Sequence, residues 1–532
     1  MGSVEGTLGL ARTPAAPRAA GFVPGILLSR AGKTCHLLAA MQRALILHGP
    51  VPQRIAQLAL RVAARAGVSA VHLATAGQDP EQELSKLLAS GEPVVATVDS
   101  EVLRGRALRL ESLRSAVLVA ATARPDVVAA ECGISERQAE RAGELDERAR
   151  IESHLQCSVD GDLDEVADEV VQLWRRDPLL VATGDRSYRV EVGRGMLGLR
   201  VAEAVADAPL VLVVTDGNVE GLHLGKVTEP ITRSKKRLLG HVMRPGERSK
   251  IVRTIVQIWN VALEGGADRT SVFVGLGGGV VTDVTGFAAA TWMRGVRWVC
   301  APTTLLAMVD ASVGGKTGVD LRAAKNAVGS FWQPGRVICD MDTLQTEPRR
   351  GFVSALAEVV KTALIGDSAL LDLVEAEAGA VLARDPKLLE DIVRRCIAVK
   401  ADVVSRDERE GGLRAVLNLG HTVGHALEAK GEYVALTHGE AVSLGLVAAL
   451  RMGVRLGVTP ESLSERVVRL LERLELPTNL WAHDLAGASE LLGHDKKRAG
   501  DRLRFVVARD VGRVETISLD LGELRDLARG VG

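Results

Sequence analysis

The stretch SVFVGLGGGVVTDVTGFAAA, residues 271–290, decides the fold. A mostly apolar run enters Gly275, Gly277, Gly278 and Gly279, and a helical pattern carrying Asp283 follows. A run with no polar face reads as a strand buried in a parallel sheet between helices. Glycines there let the backbone approach a pyrophosphate, and the following helix N-terminus offers free N–H groups with partial positive charge. The dinucleotide fingerprint is not strictly matched, because after Gly275-x-Gly277 its third position is Val280. Alone, the segment suits either a nucleotide or a simple tight turn.

Runs of the same character lie on both sides, at 210–215 and 298–301. Asp216 and Asn218 follow the first of these, at the strand end where α/β sheets bind ligands; a ribose diol and an Asx turn are both suitable partners. This second α/β series runs from near Tyr188 to about 345, and after Pro348 the pattern turns mostly helical. Upstream, short runs at 44–47, 69–73, 93–98 and 116–120 alternate with helical patterns, ending in a helix over 162–174. They predict a small parallel α/β module. The expected organisation is a disordered tail over 1–40, a small α/β module over 41–180, a Rossmann-like α/β domain over 186–346 and a mostly α-helical, metal-binding domain over 347–532. Met41, just before the first run, is a candidate start.

The 532 residues are enough for three or four domains at about 150 each. With 47% apolar and 25% charged residues, the composition is that of a globular protein. Lys plus Arg number 66 and Asp plus Glu 67, so no net field draws nucleic acid or an anionic membrane. No uninterrupted apolar run reaches 18 residues and the N-terminus lacks a signal-peptide pattern, so the chain reads as soluble and cytoplasmic. Six cysteines without a Cys-x-x-Cys spacing argue against a disulfide frame or a thiolate zinc site.

Two further segments carry chemistry. VDASVGGKTGVDLRAAKNAVGSFWQP, 309–334, invites a P-loop reading at Gly315-Lys316-Thr317, but Asp310 occupies the required first glycine. What remains is Asp310, Lys316, Lys325 and Asn326 in a loop-rich, glycine-rich segment, either solvated surface or a seat for an anionic, hydroxylated ligand. In LNLGHTVGHALEA, 417–429, a helix would place Asn418, His421 and His425 on one face, with His438 following after a short loop. The zincin motif needs Glu after the first His, where Thr422 stands. A helix over 355–366 offers Glu358 and Lys361 on one face. Two His and a Glu with an open position is a catalytic zinc arrangement, against which stands the ordinary structural histidine.

Together these segments resemble 3-dehydroquinate synthase, a sugar-phosphate cyclase family, over residues 186 to 532. The likeness spans TDGNV, PGERSK, GGGVVTD, MRGV, PTTLL, VDASVGGKTGVD, KNAVGSFWQP, AEVVK, NLGHTVGHA, HGEAV and DKK in order. It implies zinc, or cobalt in its place, on Glu358, His421 and His438. It implies NAD against Asp216, Asn218, Glu247, Lys250, Gly278, Gly279, Asp283, Thr303 and Thr304. Substrate-binding and catalytic positions fall on Arg294, Asp310, Lys316, Lys325, Asn326, Lys361, Lys400, Arg414, Asn418, His425 and Lys496 or Lys497. One departure is Thr362-Ala363, where relatives commonly have Tyr-Gly. The implied reaction turns 3-deoxy-arabino-heptulosonate 7-phosphate into 3-dehydroquinate and phosphate in a homodimer. Rival readings are another sugar-phosphate cyclase and a metal-dependent polyol dehydrogenase, though the latter gives Lys316, Lys361 and Arg414 no anion to bind.

Residues 41 to about 180 resemble shikimate kinase in frame, through RALILHG, GEPVVATVDSEVL, SAVLVAATARPDVV and DLDEVADEVVQLW. The kinase chemistry is missing. Its phosphate loop falls on HGPVPQRIA, 48–56, where Arg54, Ile55 and Ala56 replace Gly-Lys-Ser/Thr. The paired aspartates fall on His72 and Ala74, and the shikimate-binding glycines on Val98, Asp99 and Ser100. The resemblance implies a degenerate module that holds no Mg-ATP, with a bifunctional kinase and synthase as the alternative.

Overall fold

The computed structural model describes residues 179–531 except 322–323, 432–434, 492–497 and 500–501. Before that it describes 44–48, 52–66, 68–73, 82, 84, 86, 94–98, 116–123, 125–132, 135, 137–139, 155–159 and 162–176. The tail over 1–40, Met41, Gly49, Ala74, Asp99, Ser100, Lys496 and Lys497 lie outside the described residues.

Five parallel strands build the first sheet: β1 (Ala44–His48), β2 (Ser69–Leu73), β3 (Val94–Val98), β4 (Ala116–Thr122) and β5 (Leu155–Ser158), in the order β2-β3-β1-β4-β5. Leu45, Ile46 and Leu47 are all fully buried, because helices cover the central strand as its unbroken apolar run requires. The helices Pro52–Ala66 and Leu163–Arg176 pack together through Leu58, Val62, Ala167 and Val170. Arg65 joins them at the surface, 2.7 Å from Asp164 and 2.6 Å from Asp168.

The second sheet has seven strands: β6 (Leu179–Val181), β7 (Tyr188–Gly193), β8 (Leu210–Asp216), β9 (Arg237–Met243), β10 (Val272–Gly277), β11 (Arg297–Pro302) and, after a hairpin, β14 (Arg336–Asp340). The order is β6-β7-β14-β11-β10-β8-β9, parallel except for β6 against β7. The sheet therefore starts upstream of Tyr188, with a short strand whose burial depends on its neighbour. The connection leaving β8 runs to one edge of the sheet and that leaving β10 runs to the other. This switch point opens a crevice at their C-terminal ends, where such sheets bind ligands.

The segment read as loop-rich is instead an antiparallel hairpin, β12 (Lys316–Leu321) and β13 (Ala324–Phe331). Gly318 and Gly329 stand opposite each other, and a Cβ on either would meet backbone atoms of the facing strand within 2.6 Å. The glycines that obscured the strand pattern are what bring the two backbones together.

Beyond Pro348 the chain is mostly helical, ending in a sheet of β15 (Arg498–Ala499), β16 (Arg502–Asp510) and β17 (Arg513–Asp520) before a last helix, Leu521–Gly530. One hydrophobic cluster runs from Phe273 and Trp298 in the second sheet to Val360 and Leu446 in the helices. The helix Arg349–Gly366 lies at its centre, and every residue from Phe352 to Ile365 is buried. A helix enclosed on all sides is expected to be apolar all round, so Glu358 and Lys361 within it require local partners. No helix of the described residues is long and apolar enough to cross a membrane.

Candidate active site

Glu358 projects from the central helix toward two imidazoles carried by two other helices. His421 opens the helix His421–Lys430, and His438 opens the helix His438–Arg455. The chain does not run as one helix from Asn418 to His425. A 3-10 turn, Leu413–Asn418, ends first, and Gly420 reverses the backbone at φ 78° before the helix begins. Asn418 is thereby separated from the His421 and His425 face, because the left-handed residue breaks the helical phase. The His438 helix starts with a capping box, in which Thr437 caps the Glu440 N–H and Glu440 accepts from the Thr437 N–H. A Cβ on Gly439 would lie 1.8 Å from the Ser354 carbonyl, so glycine permits the close helix crossing that brings His438 to Glu358.

Ligand-capable atoms of Glu358, His421 and His438 lie within 4.8 Å of one another. The Oε1 of Glu358 is 3.4 Å from His421 Nε2 and 3.5 Å from His438 Nε2. Glu358 is fully buried, and neither of its oxygens takes a well-aligned hydrogen bond among the described residues. A buried carboxylate whose Oε1 faces two imidazole nitrogens without a well-aligned hydrogen bond, while Lys361 contacts Oε2, fits a divalent cation of the zinc type. His421 supports the fit: its Nδ1 is 3.2 Å from the Leu419 carbonyl, which fixes the proton there and turns the Nε2 lone pair toward Glu358.

Charged groups surround this cluster. Lys361 contacts Glu358 directly, and Lys400 Nζ lies 2.5 Å from both the Asp310 carbonyl and its Oδ1. Arg414 is buried and donates to the carbonyls of Glu408 and Gly314. Lys316 Nζ is 2.7 Å from Glu410, whose other oxygen accepts from Asn418 at 3.0 Å. Burial favours the neutral form of Asp310 and of Glu358, but Lys400 and Lys361 outweigh it at Asp310, and Lys361 at Glu358, holding both below the usual carboxylate range. Burial also lowers Lys361, yet the Glu358 and Asp310 carboxylates outweigh it and raise its pKa; burial prevails at Lys400, which is lowered. Burial and then Lys361 push His421 well down. At His438 burial is outweighed by Glu358 and Glu428, and its pKa rises to about 10. The cause is local, two carboxylates facing one ring, whereas Lys361 acts on His421.

At the switch point Asp216 ends β8, and its Oδ1 accepts from the N–H groups of Asn218 and Val219, a helix-entry turn that leaves Oδ2 outside these two bonds. Gly278 caps the helix Gly279–Thr291, and a Cβ on Gly277 would strike Val281 at 2.7 Å. Thr303 donates its N–H to the Gly277 carbonyl, which seats Thr303 and Thr304 beside the glycine turn. Lys250 Nζ is 2.6 Å from Asp283 and 2.5 Å from the Asn326 side-chain oxygen. Lys325 stands 3.6 Å from Glu247 and 3.5 Å from Glu428. The β12–β13 hairpin thus touches both groups of residues. Arg294 differs from the rest: it is exposed on the turn Trp292–Arg294 with φ 67°, and these contacts do not bring it to the cluster.

Three groups were not singled out in the sequence. Glu428 follows His421 by seven and His425 by three, so helical spacing alone places it on their face. Glu410 follows no such pattern; it sits in a turn at φ 61°. Tyr188 is buried, and its hydroxyl accepts from the Gly314 N–H at 2.9 Å, supporting the loop before Lys316.

Residues 240–354 match the family described as 3-dehydroquinate synthase N-terminal, and residues 355–498 that described as 3-dehydroquinate synthase C-terminal. The 3-dehydroquinate synthase of Acidithiobacillus ferrooxidans is 45% identical over 336 residues, which are 63% of this chain and 92% of that protein. The chain belongs to the 3-dehydroquinate synthase family. Another 3-dehydroquinate synthase, the chloroplastic protein of Arabidopsis thaliana, is 42% identical over 62% of this chain and 75% of its own. Among solved structures, a 2-deoxy-scyllo-inosose synthase complexed with carbaglucose-6-phosphate, NAD+ and Co2+ aligns at TM-score 0.60 and 26% identity, over 66% of this chain and 99% of that one. The 2-epi-5-epi-valiolone synthase of Streptomyces hygroscopicus, with NAD+ and Zn2+ bound, aligns at 0.59 and 25%, over 65% and 96%. Both 3-dehydroquinate synthase family matches lie downstream of the first sheet.

Proposed function

We propose that residues 179–531 convert 3-deoxy-arabino-heptulosonate 7-phosphate to 3-dehydroquinate and phosphate, as an NAD- and zinc-dependent carbon–oxygen lyase. The observation that carries this reading is the convergence of Glu358, His421 and His438 with the buried cations Lys361, Lys400 and Arg414, in a chain of formal net charge −1. A substrate with a carboxylate and a phosphate needs fixed cations and donors at both ends, and charge-assisted hydrogen bonds from buried side chains provide them. When bound, NAD supplies a transient hydride acceptor and the divalent ion, which cobalt would suit as zinc does, supplies Lewis acidity at the substrate hydroxyl.

The residues divide the remaining work. Glu358, His421 and His438 hold the ion. Asp216, Asn218, Gly278, Gly279, Thr303 and Thr304 line the cofactor crevice, with Glu247, Lys250 and Asp283 beside them. Lys316, Lys325, Asn326, Lys361, Lys400 and Arg414 bind and orient the anionic groups, and Asp310 holds Lys400 in place. Asn418 and His425 orient the phosphate and a proton-relaying water. Arg294, exposed on its turn, belongs to this set by the resemblance alone, and the synthase region is expected to form a homodimer. The reading places the enzyme in the cytoplasm.

The first sheet is a kinase-like module without kinase chemistry. Ile55 is buried in its core, where a kinase would present its phosphate-loop lysine, and Ala56 offers no hydroxyl to magnesium. No heat of Mg-ATP binding is expected in calorimetry on the full chain, and saturable binding there would make the protein bifunctional.

Purified protein with NAD and zinc should release phosphate and dehydroquinate together, without net NADH. Accumulating NADH would show a dehydrogenase. No product, with both cofactors bound, would point to another sugar phosphate such as sedoheptulose 7-phosphate.

A further inference from the structure

We infer that Glu428 is a positioning residue that fixes the imidazole of His438 for metal binding and ties it to the β12–β13 hairpin through Lys325; this rests on the metal site proposed above. The His438 ring is suspended between two buried carboxylates from different helices. Its Nε2 is 3.5 Å from Glu358 Oε1, and its Nδ1 is 3.5 Å from Glu428 Oε2. A neutral imidazole carries one N–H. If Glu428 accepts that proton at Nδ1, the Nε2 lone pair faces Glu358 and His421, where the cation would sit. His421 reaches the same state by another route, its Nδ1 facing the Leu419 carbonyl. The two ligating histidines thus have different supports, a backbone carbonyl for one and a side chain for the other.

Glu428 is only 4% exposed, and an isolated buried carboxylate is costly. Lys325 Nζ, 3.5 Å from Glu428 Oε1, supplies the opposing charge. That lysine comes from β13, beside Asn326, whose side chain holds Lys250. One side chain therefore links the orientation of a metal ligand to the strand that bears the anion-binding residues.

The competing account is that Glu428, His425 and His438, whose ligand atoms also lie within 4.8 Å, hold a second ion. The test is zinc stoichiometry and affinity, measured by chelator competition on the full chain, with the visible absorption of the cobalt-loaded protein as a second readout. The wild-type chain should bind one ion. Glu428→Gln should still bind one but about 10- to 100-fold more weakly, with a changed cobalt spectrum. Glu428→Asp, which keeps the charge on a shorter stem, should fall between, and it serves if the Gln variant does not fold. Wild-type affinity and spectrum in both variants would overturn the positioning role and leave the metal site standing. Two ions in the wild type and one in Glu428→Gln would make Glu428 a ligand and overturn it as well. No metal in the wild type would instead overturn the functional reading.

Discussion

The chain contains two parallel α/β sheets, each with a crevice where connections diverge, and they fill it differently. At the end of β1 stands His48, fully buried, its pKa lowered to about 4 by burial. At the ends of β8 and β10 stand Asp216, a glycine turn and, across the hairpin, Lys250 braced by Asp283 and Asn326. Topology supplies the crevice in both; side chains decide whether chemistry follows. In the first sheet burial shifts His48 toward its neutral form. In the synthase region, Asp310, Glu358 and Lys361 are buried with opposite charges that outweigh desolvation.

The sharpest break of this contrast is to remove a proposed ligand. Glu358→Ala and His438→Ala should each abolish stoichiometric zinc and lower turnover by about a thousandfold or more, while leaving the first sheet intact. Metal analysis beside steady-state kinetics checks it; retained zinc would reassign the ligands. Next in size is Lys361→Met. It leaves Glu358 and Asp310 buried without the cation in contact with one and near the other, which should cost about 3–5 kcal/mol in urea unfolding. An unchanged midpoint would mean that the charge cluster contributes little to the stability of the fold. Smaller again is His425→Ala, expected to lower turnover about a hundredfold with zinc retained. Loss of zinc would make His425 a ligand rather than a proton-relaying group.

How far this was legible in the sequence differs between the two crevices. Strands β8, β10 and β11 are runs of buried apolar residues, so pattern alone locates them within two residues. Glu358, His421 and His438 stand in short motifs on three separate helices, and they do converge. Where glycine intervenes, the pattern fails. The β12–β13 hairpin lost its alternation to Gly318 and Gly329, and the helix expected through Asn418 is interrupted by Gly420. The β16–β17 hairpin, turning at Gly512, was hidden in a stretch otherwise helical. Glu410 and Tyr188 could not be found at all, because each acts across more than 90 residues on Lys316 or Gly314 through tertiary contact.

The smallest effect concerns two groups whose largest perturbation is burial, and it tests whether both regions obey the same rule. Glu347, at the junction between the second sheet and the central helix, is buried; burial raises its pKa to about 7 from an ordinary 4.5, against the Leu305 N–H that it accepts at 2.9 Å and the nearby Arg384. The folded state therefore binds more protons than the unfolded one between pH 4.5 and 7, and stability falls as pH rises through that window. His48 has the opposite sign. Its folded pKa lies below 6.5, the unfolded state binds more protons between pH 4 and 6.5, and stability rises with pH. Hydrogen exchange resolved by segment should show β1–β5 gaining protection from pH 4 to 6.5, while the helix Arg349–Gly366 loses it from pH 4.5 to 7. Glu347→Gln keeps an acceptor for Leu305 and cannot ionise, so it should flatten the second slope, worth on the order of 2 kcal/mol, and leave the first untouched. Parallel slopes in both segments would mean that the two regions open as one unit, and the contrast between the two interiors would then be invisible to pH.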